Sequence, residues 1–491
     1  MRKSGVLLHL SSLPSPYGMG SFGEAAYRFV DFLDRANQSY WQILPLGPTS
    51  YGDSPYQTFS AFANNPYFID LDRLIHESLL THEDITATVL DPRYVDYGAL
   101  YHERLQTLKK AFWRFNQQDP HFLRFVEEEA FWLLDYAFFM ALKNHFNGAP
   151  WSSWPNDIKM REEHAILRYQ TMLNEDIMFQ KVIQYWAFDQ WACLKAYANQ
   201  KGISIIGDMP IYVAYDSADV WANPTFFDLD ANRMPNHVAG VPPDNFSADG
   251  QLWGNPLYNW PYLKKNGYSW WIDRVKSAMR IFDQIRIDHF IGFENFYQVP
   301  FGDTTAVNGV WKKGPGYALF KAIKSALGDV KIIAEDLGVV TEGVKKLLRR
   351  TGFPGMKLTQ FGFYSASDND FLIHHYEKNM VVYTGTHDNE TSHQWFASLS
   401  EQERHRCLNY LNHGSGNPVD SLIKATLGSV ADTVIIPMQD YLGLGKEARM
   451  NFPSTTGNNW KWRMLDHETN EDVCSKIRYF SELYGRNIHH K

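Results

Sequence analysis

The chain alternates between short apolar runs and longer segments in which apolar residues recur at helical spacing. The run 5–10 (GVLLHL) is followed by a Pro/Gly-rich turn and then by 21–38 (SFGEAAYRFVDFLDRANQ), whose apolar residues lie three and four positions apart. Apolar runs of this kind predict strands buried on both faces, and the spacing after them predicts amphipathic helices. We predict eight such strands, at 5–10, 40–46, 203–213, 284–290, 331–338, 356–363, 380–388 and 434–440.

Helical patterns such as 314–327 (GPGYALFKAIKSAL) separate most of the predicted strands. Eight alternating units favour an α/β fold of the (β/α)8 TIM-barrel type, and a doubly wound open sheet is the competing architecture. We expect one catalytic barrel over 1–491. It would carry a large, mainly helical insertion at 70–180 after the second strand, and a second insertion at 214–275 after the third.

Two charged residues interrupt the fourth predicted strand, 284–290 (QIRIDHF). Because side chains on a strand point to opposite faces with a period of two, Arg286 and Asp288 lie on the same face. An adjacent guanidinium favours the ionised form of a carboxylate, which suits a nucleophile. On this pattern alone, a buried structural ion pair is an equally good interpretation.

Acidic residues also occur at or after the ends of three other predicted strands. They are Asp208, Asp216 and Asp219 after the third, Glu335 and Asp336 at the fifth, and Asp388 and Glu390 at the seventh. A single acid in such a place is usually a helix N-cap or a solvated charge, but four strands with this feature predict a carboxylate cluster on the active-site rim of a barrel. Clustered carboxylates raise one another's pKa, so the rim would provide the ionised and protonated pair that glycoside chemistry requires.

Motifs of other enzyme classes are weak or missing in the sequence. It contains no G-x-S-x-G, H-E-x-x-H or C-x-x-C. The segment 443–448 (GLGKEA) matches the dinucleotide fingerprint G-x-G-x-x-G/A, but a turn-rich segment follows it where the fingerprint needs a helix and a second parallel strand. Dinucleotide binding is therefore disfavoured.

Composition narrows the possible partners. The 16 Trp, 27 Tyr and 32 Phe indicate surfaces for sugars or other flat ligands, although most aromatic side chains fill cores. A net charge of −8 without a long basic run argues against nucleic acid.

No membrane association is expected. The most apolar stretch, 131–146, contains Asp135 and Lys143 and is shorter than the roughly 20 residues that a membrane span requires, so it predicts an amphipathic helix. The short apolar run near the N-terminus does not resemble a secretory signal. Three widely spaced cysteines fit a reducing compartment, and we expect a cytoplasmic protein.

Several segments together resemble the 4-α-glucanotransferases, also called amylomaltases or disproportionating enzymes, of the α-amylase clan. These segments are 52–71 (GDSPYQTFSAFANNPYFIDL), 211–224 (IYVAYDSADVWANP), 240–260 (GVPPDNFSADGQLWGNPLYNW), RIDHF, AEDLG, 385–391 (GTHDNET) and 449–463 (RMNFPSTTGNNWKWR). The resemblance implies transfer of a segment of a 1,4-α-D-glucan to the 4-hydroxyl of an acceptor glucose or glucan, by retaining double displacement through a covalent glucosyl-enzyme. Maltooligosaccharides and α-1,4-glucans would be the substrates. The oligomeric state is not indicated.

By this resemblance Asp288 would be the nucleophile, Glu335 the general acid/base and Asp388 a third carboxylate that binds sugar hydroxyls and stabilises the transition state. Arg286 would keep Asp288 ionised, and His387 would bind the glucose beside the scissile bond. The other implied substrate-site residues are Asp219, which would order the site, Tyr56 and Ser54 in the donor groove, and Phe246, Gln251 and Trp253 on the acceptor side.

Two positions depart from the family pattern. Asn245 stands where some members carry an aromatic residue, and Ser454 replaces the glycine of an expected Pro-Gly turn, which predicts a turn without positive φ. Tyr51 and Tyr97 are candidates for a second glucan site on exposed loops, with simple packing an equally good interpretation.

No cofactor or metal site is inferred, since no calcium-loop spacing is present. An α-glucan hydrolase with the same acids and a catalytically silent glucan-binding protein are the alternatives. Residue chemistry alone does not separate hydrolysis from transfer, and only the family resemblance favours transfer.

Overall fold

Eight parallel β-strands form the centre of the fold in the computed structural model, which describes residues 2–50, 52–86, 91–243, 247–364, 369–455 and 457–486. Twelve strands lie within these ranges: β1 (Lys3–Leu7), β2 (Tyr40–Gln42), β3 (Ser204–Met209), β4 (His237–Val241), β5 (Gln251–Pro256), β6 (Gln284–Ile287), β7 (Asn295–Pro300), β8 (Val310–Lys313), β9 (Ile332–Ala334), β10 (Gly355–Leu358), β11 (Met380–Tyr383) and β12 (Thr433–Pro437). The parallel strands follow the order β10-β11-β12-β1-β2-β3-β6-β9. The N–H of Ala334 donates to the carbonyl of Pro354 over 2.9 Å and joins the two ends of this order. The predicted (β/α)8 barrel is confirmed.

The eight barrel strands coincide with the eight apolar runs of the sequence. Val6, Ile205, Ile285 and Ile435 are all fully buried, as expected for strands covered on both faces. The sequence-based strands extend too far at their C-terminal ends, because the chain leaves the hydrogen-bonded ladder there and turns into the rim loops. The predicted strand 284–290, for example, ends at Ile287.

Eighteen α-helices lie in the described residues. They are α1 (Glu24–Arg35), α2 (Leu71–His76), α3 (Tyr97–Arg114), α4 (Pro120–Glu128), α5 (Ala130–His145), α6 (Asn156–Lys159), α7 (Glu163–Met172), α8 (Asn174–Gln200), α9 (Ala218–Ala222), α10 (Trp260–Lys265), α11 (Ser269–Ile281), α12 (Tyr317–Leu327), α13 (Glu342–Thr351), α14 (Ser392–Ser398), α15 (Glu401–Tyr410), α16 (Pro418–Gly428), α17 (Met438–Leu442) and α18 (Glu471–Leu483). Local sequence sets their ends. Helix α13 begins after Thr341, whose side chain accepts the N–H of Val344, and it ends at Thr351, where Gly352 with φ of 73° caps it. None of the described helices is long and apolar enough to cross a membrane.

Helices α2 to α8 lie between β2 and β3 and support the long loop that follows β2. Two buried glutamines of α8 pair with the backbone of this loop as a neighbouring strand would. Gln184 binds both the N–H and the carbonyl of Asn64, over 2.9 and 2.8 Å, and Gln190 does the same at Asp70, over 2.7 and 3.3 Å. Because these backbone groups are buried, the pairing fixes the course of the loop.

A second, four-stranded antiparallel sheet of order β5-β4-β7-β8 lies between β3 and β9 along the chain. The sequence pattern did not predict this sheet, because its strands do not stand out as apolar runs. Strand β8, for example, is exposed at all four positions. The sheet brings β5, with Gln251 and Trp253, to the barrel rim, where Trp253 meets His289.

Candidate active site

Arg286 on β6 joins two carboxylates at the centre of the rim. Its Nη1 lies 2.6 Å from Oδ2 of Asp208, and its Nη2 lies 3.0 Å from Oδ1 of Asp288. Burial opposes the guanidinium charge, but these carboxylates raise the pKa of Arg286 well above its usual range. The side chain of Asp208 is fully buried, whereas that of Asp288 is 30% exposed. Arg286 therefore presents one carboxylate, Asp288, to the cleft.

Glu335 follows β9 and is held by two backbone donors. Its Oε2 accepts the N–H of His289 over 2.7 Å, and its Oε1 accepts the N–H of Leu337 over 2.6 Å. His289 adopts a left-handed conformation with φ of 51°, an uncommon one for a residue with a side chain and one that often marks functional sites. Burial and the nearby charge of Asp288 raise the pKa of Glu335 to about 8. Glu335 is therefore mainly protonated at neutral pH and can donate a proton.

Asp388 lies after β11, with 43% of its side chain exposed. Its Oδ1 accepts the side-chain N–H of Asn451 over 2.6 Å, and its Oδ2 lies 3.3 Å from Nε2 of His387. The loss of solvent around Asp388 by itself would raise its pKa, but His387 and Asn451 hold this pKa below its usual range. The rim thus combines an accessible ionised carboxylate with the buried, protonated Glu335.

Tyr56 connects the loop after β2 to these acids. Its hydroxyl donates to Oδ2 of Asp208 over 2.8 Å and lies 2.8 Å from Nε2 of His387. Since the single hydroxyl proton goes to Asp208, Nε2 of His387 carries the hydrogen of the second bond. The Tyr56 and His387 rings stack with centroids 5.2 Å apart, and Trp460 packs against both. These rings form an aromatic wall beside the acids.

Two other kinds of site receive no support from the described residues. Gly443 ends helix α17, and no strand follows it in the part of the chain that the structure describes, so 443–448 lacks the context of a dinucleotide fingerprint. Within the same described ranges, no group of three or more His, Cys, Asp or Glu residues is arranged to hold a metal ion. The carboxylate rim is the candidate active site.

Comparison with known proteins gives the family. A sequence model described as 4-alpha-glucanotransferase matches residues 8–468. The chain belongs to the 4-α-glucanotransferase family. It is 50% identical over 485 residues to the 4-alpha-glucanotransferase of Clostridium butyricum, an alignment that covers 98% of this chain and 100% of that protein. It is 46% identical over 498 residues to the 4-alpha-glucanotransferase of Thermus thermophilus, covering 99% of each.

A solved structure of the family has nearly the same fold. The amylomaltase from Streptococcus agalactiae in complex with acarbose superposes with a TM-score of 0.97 at 43% identity, covering 99% of this chain and 100% of that one. The predicted family and activity are confirmed, in preference to a hydrolase or a silent binding protein. This enzyme transfers a segment of a 1,4-α-D-glucan to the 4-hydroxyl of an acceptor, by the retaining double displacement general for 4-α-glucanotransferases.

Two further residues singled out in the sequence shape the loop that carries Tyr56 in this 4-α-glucanotransferase. The hydroxyl of Ser54 accepts the N–H of Tyr56 over 3.3 Å. Asp219, in the first turn of α9, accepts the N–H of Ala61 over 2.8 Å, and burial raises the pKa of Asp219 to about 6. These contacts fix the backbone of the loop on either side of Tyr56.

On the side formed by β5, Trp253 and Gln251 contact each other. The indole N–H of Trp253 donates to Oε1 of Gln251 over 3.1 Å, and the indole meets the His289 ring edge-on with centroids 4.8 Å apart. Trp253 thereby lies next to the residue that follows Asp288. The remaining residues assigned from sequence to this side or to a second glucan site, Phe246, Asn245 and Tyr51, lie outside the described residues.

The structure decides between the two interpretations of Tyr97 and contradicts the expectation for Ser454. Tyr97 does not lie on an exposed loop: it is 7% exposed as the first residue of α3, and its hydroxyl donates to the carbonyl of Trp460 over 2.9 Å. Its ring packs in the core instead. Ser454 has φ of 64°, so the serine adopts the left-handed turn that glycine would favour.

Sequence reasoning missed three residues that support the acids directly or through Arg286 and Tyr56. Asp208 was noted as a strand-end acid, a usable signal, but its contacts with Arg286 and Tyr56 were not foreseen. The left-handed backbone of His289 has no signature in the sequence. Asn451 lies in the family-like segment 449–463, yet nothing local indicates that it would reach Asp388.

Proposed function

We propose that Asp288 is the nucleophile, Glu335 the general acid/base and Asp388 the transition-state-stabilising carboxylate of this glucanotransferase. The observation that carries the assignment is the different environment of the acids. Asp288 is paired with Arg286 and open to the cleft, whereas Glu335 is buried with a pKa raised to about 8. A nucleophile must be ionised and a general acid protonated at the same pH, and these environments support that division.

In the first step, Asp288 attacks the anomeric carbon while Glu335 gives its proton to the glycosidic oxygen of the leaving chain. The bond to that oxygen breaks and a covalent glycosyl-enzyme forms. In the second step, the acceptor 4-hydroxyl attacks the same carbon, Glu335 takes the hydroxyl proton, and Asp288 leaves as a carboxylate. Two inversions give net retention.

Asp388 would stabilise the positive charge that develops on the sugar ring in both steps, and its ionised state supports this role. His387, stacked on Tyr56, would bind the glucose beside the scissile bond, and Arg286 would keep Asp288 charged and oriented. Tyr56 with Ser54 and Asp219 would line or order the donor side. Gln251 and Trp253, with Phe246, would position the acceptor and keep water away, which transfer requires.

The substrates we propose are maltooligosaccharides and longer α-1,4-glucans, used by a single catalytic barrel with a helical insertion at 70–180 and a second insertion at 214–275. A cytoplasmic location is consistent with three unpaired cysteines, Cys193, Cys407 and Cys474, of which the last two are buried. We do not assign a nucleic-acid or membrane partner.

Incubation with maltotriose tests the proposal. The wild-type enzyme should convert the trimer into glucose and a ladder of longer products while total reducing ends stay constant, because each transfer breaks and makes one glycosidic bond. Glu335→Gln should abolish turnover but keep maltotriose binding, measured by calorimetry, since the amide preserves shape but cannot transfer the proton.

Asp336→Asn is the matched control. Asp336 neighbours Glu335, but its Oδ1 accepts the backbone N–H of Met356 over 2.7 Å, a bond that the asparagine oxygen can also accept. Normal turnover in this variant would show that the loss in Glu335→Gln is specific. Residual turnover near the wild-type rate in Glu335→Gln would contradict the acid/base assignment.

A further inference from the structure

The segment after β12 supports the Asp388 carboxylate at the oxygen that His387 does not contact. Asn451 is 9% exposed, and its Nδ2 donates to Oδ1 of Asp388 over 2.6 Å. His387 approaches the other oxygen, Oδ2. The two oxygens of Asp388 therefore have different partners, and Asn451 contributes an uncharged donor.

Arg449 binds the backbone of both Asn451 and Asp388 and so fixes their relative position. Its Nε donates to the backbone carbonyl of Asn451 over 2.9 Å, and its Nη2 donates to the backbone carbonyl of Asp388 over 3.3 Å. The guanidinium also packs over the Phe452 ring at 4.2 Å and lies 3.6 Å from Glu390. The side chain of Arg449 thus binds the backbone of both residues that form the Asn451–Asp388 hydrogen bond.

We propose that Asn451 is a positioning residue for catalysis, which orients the Asp388 carboxylate and favours its ionised form; this rests on the role proposed for Asp388. A hydrogen bond from a neutral donor stabilises a carboxylate without pairing off its charge. Asp388 therefore keeps its full negative charge toward the sugar. Asn451 does not act on the substrate directly in this proposal.

Substitution of Asn451 by aspartate gives a test in which the direction of the pH effect on kcat is predicted. In Asn451→Asp an ionised carboxylate would face Oδ1 of Asp388 at hydrogen-bond distance and repel it, whereas a protonated one would donate its O–H and restore the bond. Among the described residues, the other charged or titratable groups around Asp388 include Arg286, His387, Tyr56, Arg449, Asp288 and Glu390. They are the same in the wild type and the variant, so the ratio of the two activities isolates the new carboxyl group.

The experiment measures kcat and KM for maltotriose from pH 5 to pH 8 in the wild type, Asn451→Asp and Asn451→Ala. We expect Asn451→Ala to lower kcat about ten- to hundredfold, as for loss of a hydrogen bond to a charged group, with a smaller change in KM. In Asn451→Asp, kcat relative to wild type should be lowest at pH 8 and rise at least about tenfold toward pH 5, as the new carboxyl takes up a proton.

Asn459→Asp is the matched control in the same segment. Asn459 is also buried, but its side chain contacts the backbone of Phe452 and Thr455 and not Asp388. A loss that comes only from loop distortion should depend on pH in the same way in both aspartate variants, because each places a new carboxyl group among buried partners of the same segment. Recovery on acidification in Asn451→Asp alone supports the proposal, and a constant or wild-type-like ratio overturns it.

Asp388→Asn distinguishes a failure of the role proposed for Asn451 from a failure of the role proposed for Asp388. If Asp388→Asn remains active, the role proposed for Asp388 fails. If Asp388→Asn is inactive while Asn451→Asp and Asn451→Ala keep wild-type kcat at all pH values, only the role of Asn451 fails. Thermal unfolding of each variant, followed by circular dichroism, identifies any variant that does not fold.

Discussion

Replacing Glu335 by glutamine should remove a single titrating proton with a midpoint near pH 8. Burial and the charge of Asp288 raise the pKa of this carboxyl from 4.5 to about 8, against the opposing effect of N–H bonds from His289 and Leu337. At about 1.4 kcal/mol per pKa unit, this environment disfavours the charged form by about 5 kcal/mol. At pH 7 Glu335 would be protonated in about nine-tenths of the enzyme molecules. A carboxyl with the unshifted pKa would be protonated in about 0.3% of them.

The assay is a difference titration between pH 5 and pH 10, in which the wild-type curve is compared with that of Glu335→Gln. The wild type should release one additional proton with a midpoint near pH 8, and kcat/KM for maltotriose should fall about tenfold per pH unit above it, because the general acid is lost. Asp336→Asn should retain this proton. A midpoint below pH 6 for the proton missing in Glu335→Gln would refute the reasoning, since Glu335 would then be ionised in the working enzyme.

Two other substitutions test the supports of the site. Tyr56→Phe removes the hydroxyl that bonds Asp208 and His387, and we expect kcat/KM for maltotriose to fall about ten- to hundredfold, since a hydrogen bond to a charged group contributes about 1.5–3 kcal/mol; a fall of less than twofold would contradict this. Asp219→Ala leaves the buried N–H of Ala61 without its acceptor and should destabilise the protein by about 1–3 kcal/mol, seen as a lower Tm by calorimetry. Asp219→Asn should recover most of that loss through its amide oxygen, and equal Tm values for both variants would argue against the contact.

The barrel could be predicted because its strands are continuous apolar runs and because residues two apart on a strand share a face. That rule placed Arg286 and Asp288 together, and the structure shows them 3.0 Å apart. The strand ends were less predictable, since leaving the ladder depends on neighbouring strands. The antiparallel sheet β5-β4-β7-β8 was missed because its strands are partly exposed, and because the sheet is completed only when β4 of the first strand pair meets β7 of the second.

The contacts within the site were only partly predictable, for the same reason. The positions of Glu335 and Asp388 after barrel strands could be inferred from topology. Their partners could not: the N–H that binds Glu335 depends on the left-handed backbone of His289, and Asn451 reaches Asp388 from a loop after a different strand. For Tyr97 the sequence left an exposed-loop site and simple packing open, and the structure shows packing, since the residue is buried at the start of helix α3.

The most direct test of the central claim is to trap the glycosyl-enzyme on Asp288. In Glu335→Gln treated with α-maltotriosyl fluoride, fluoride leaves without help from an acid, while the missing base slows attack by the acceptor, so the covalent intermediate should accumulate. Mass spectrometry should show one added maltotriosyl group, located on the peptide that contains Asp288. A group attached to another residue, or turnover of the fluoride with inverted products and no adduct, would contradict the account.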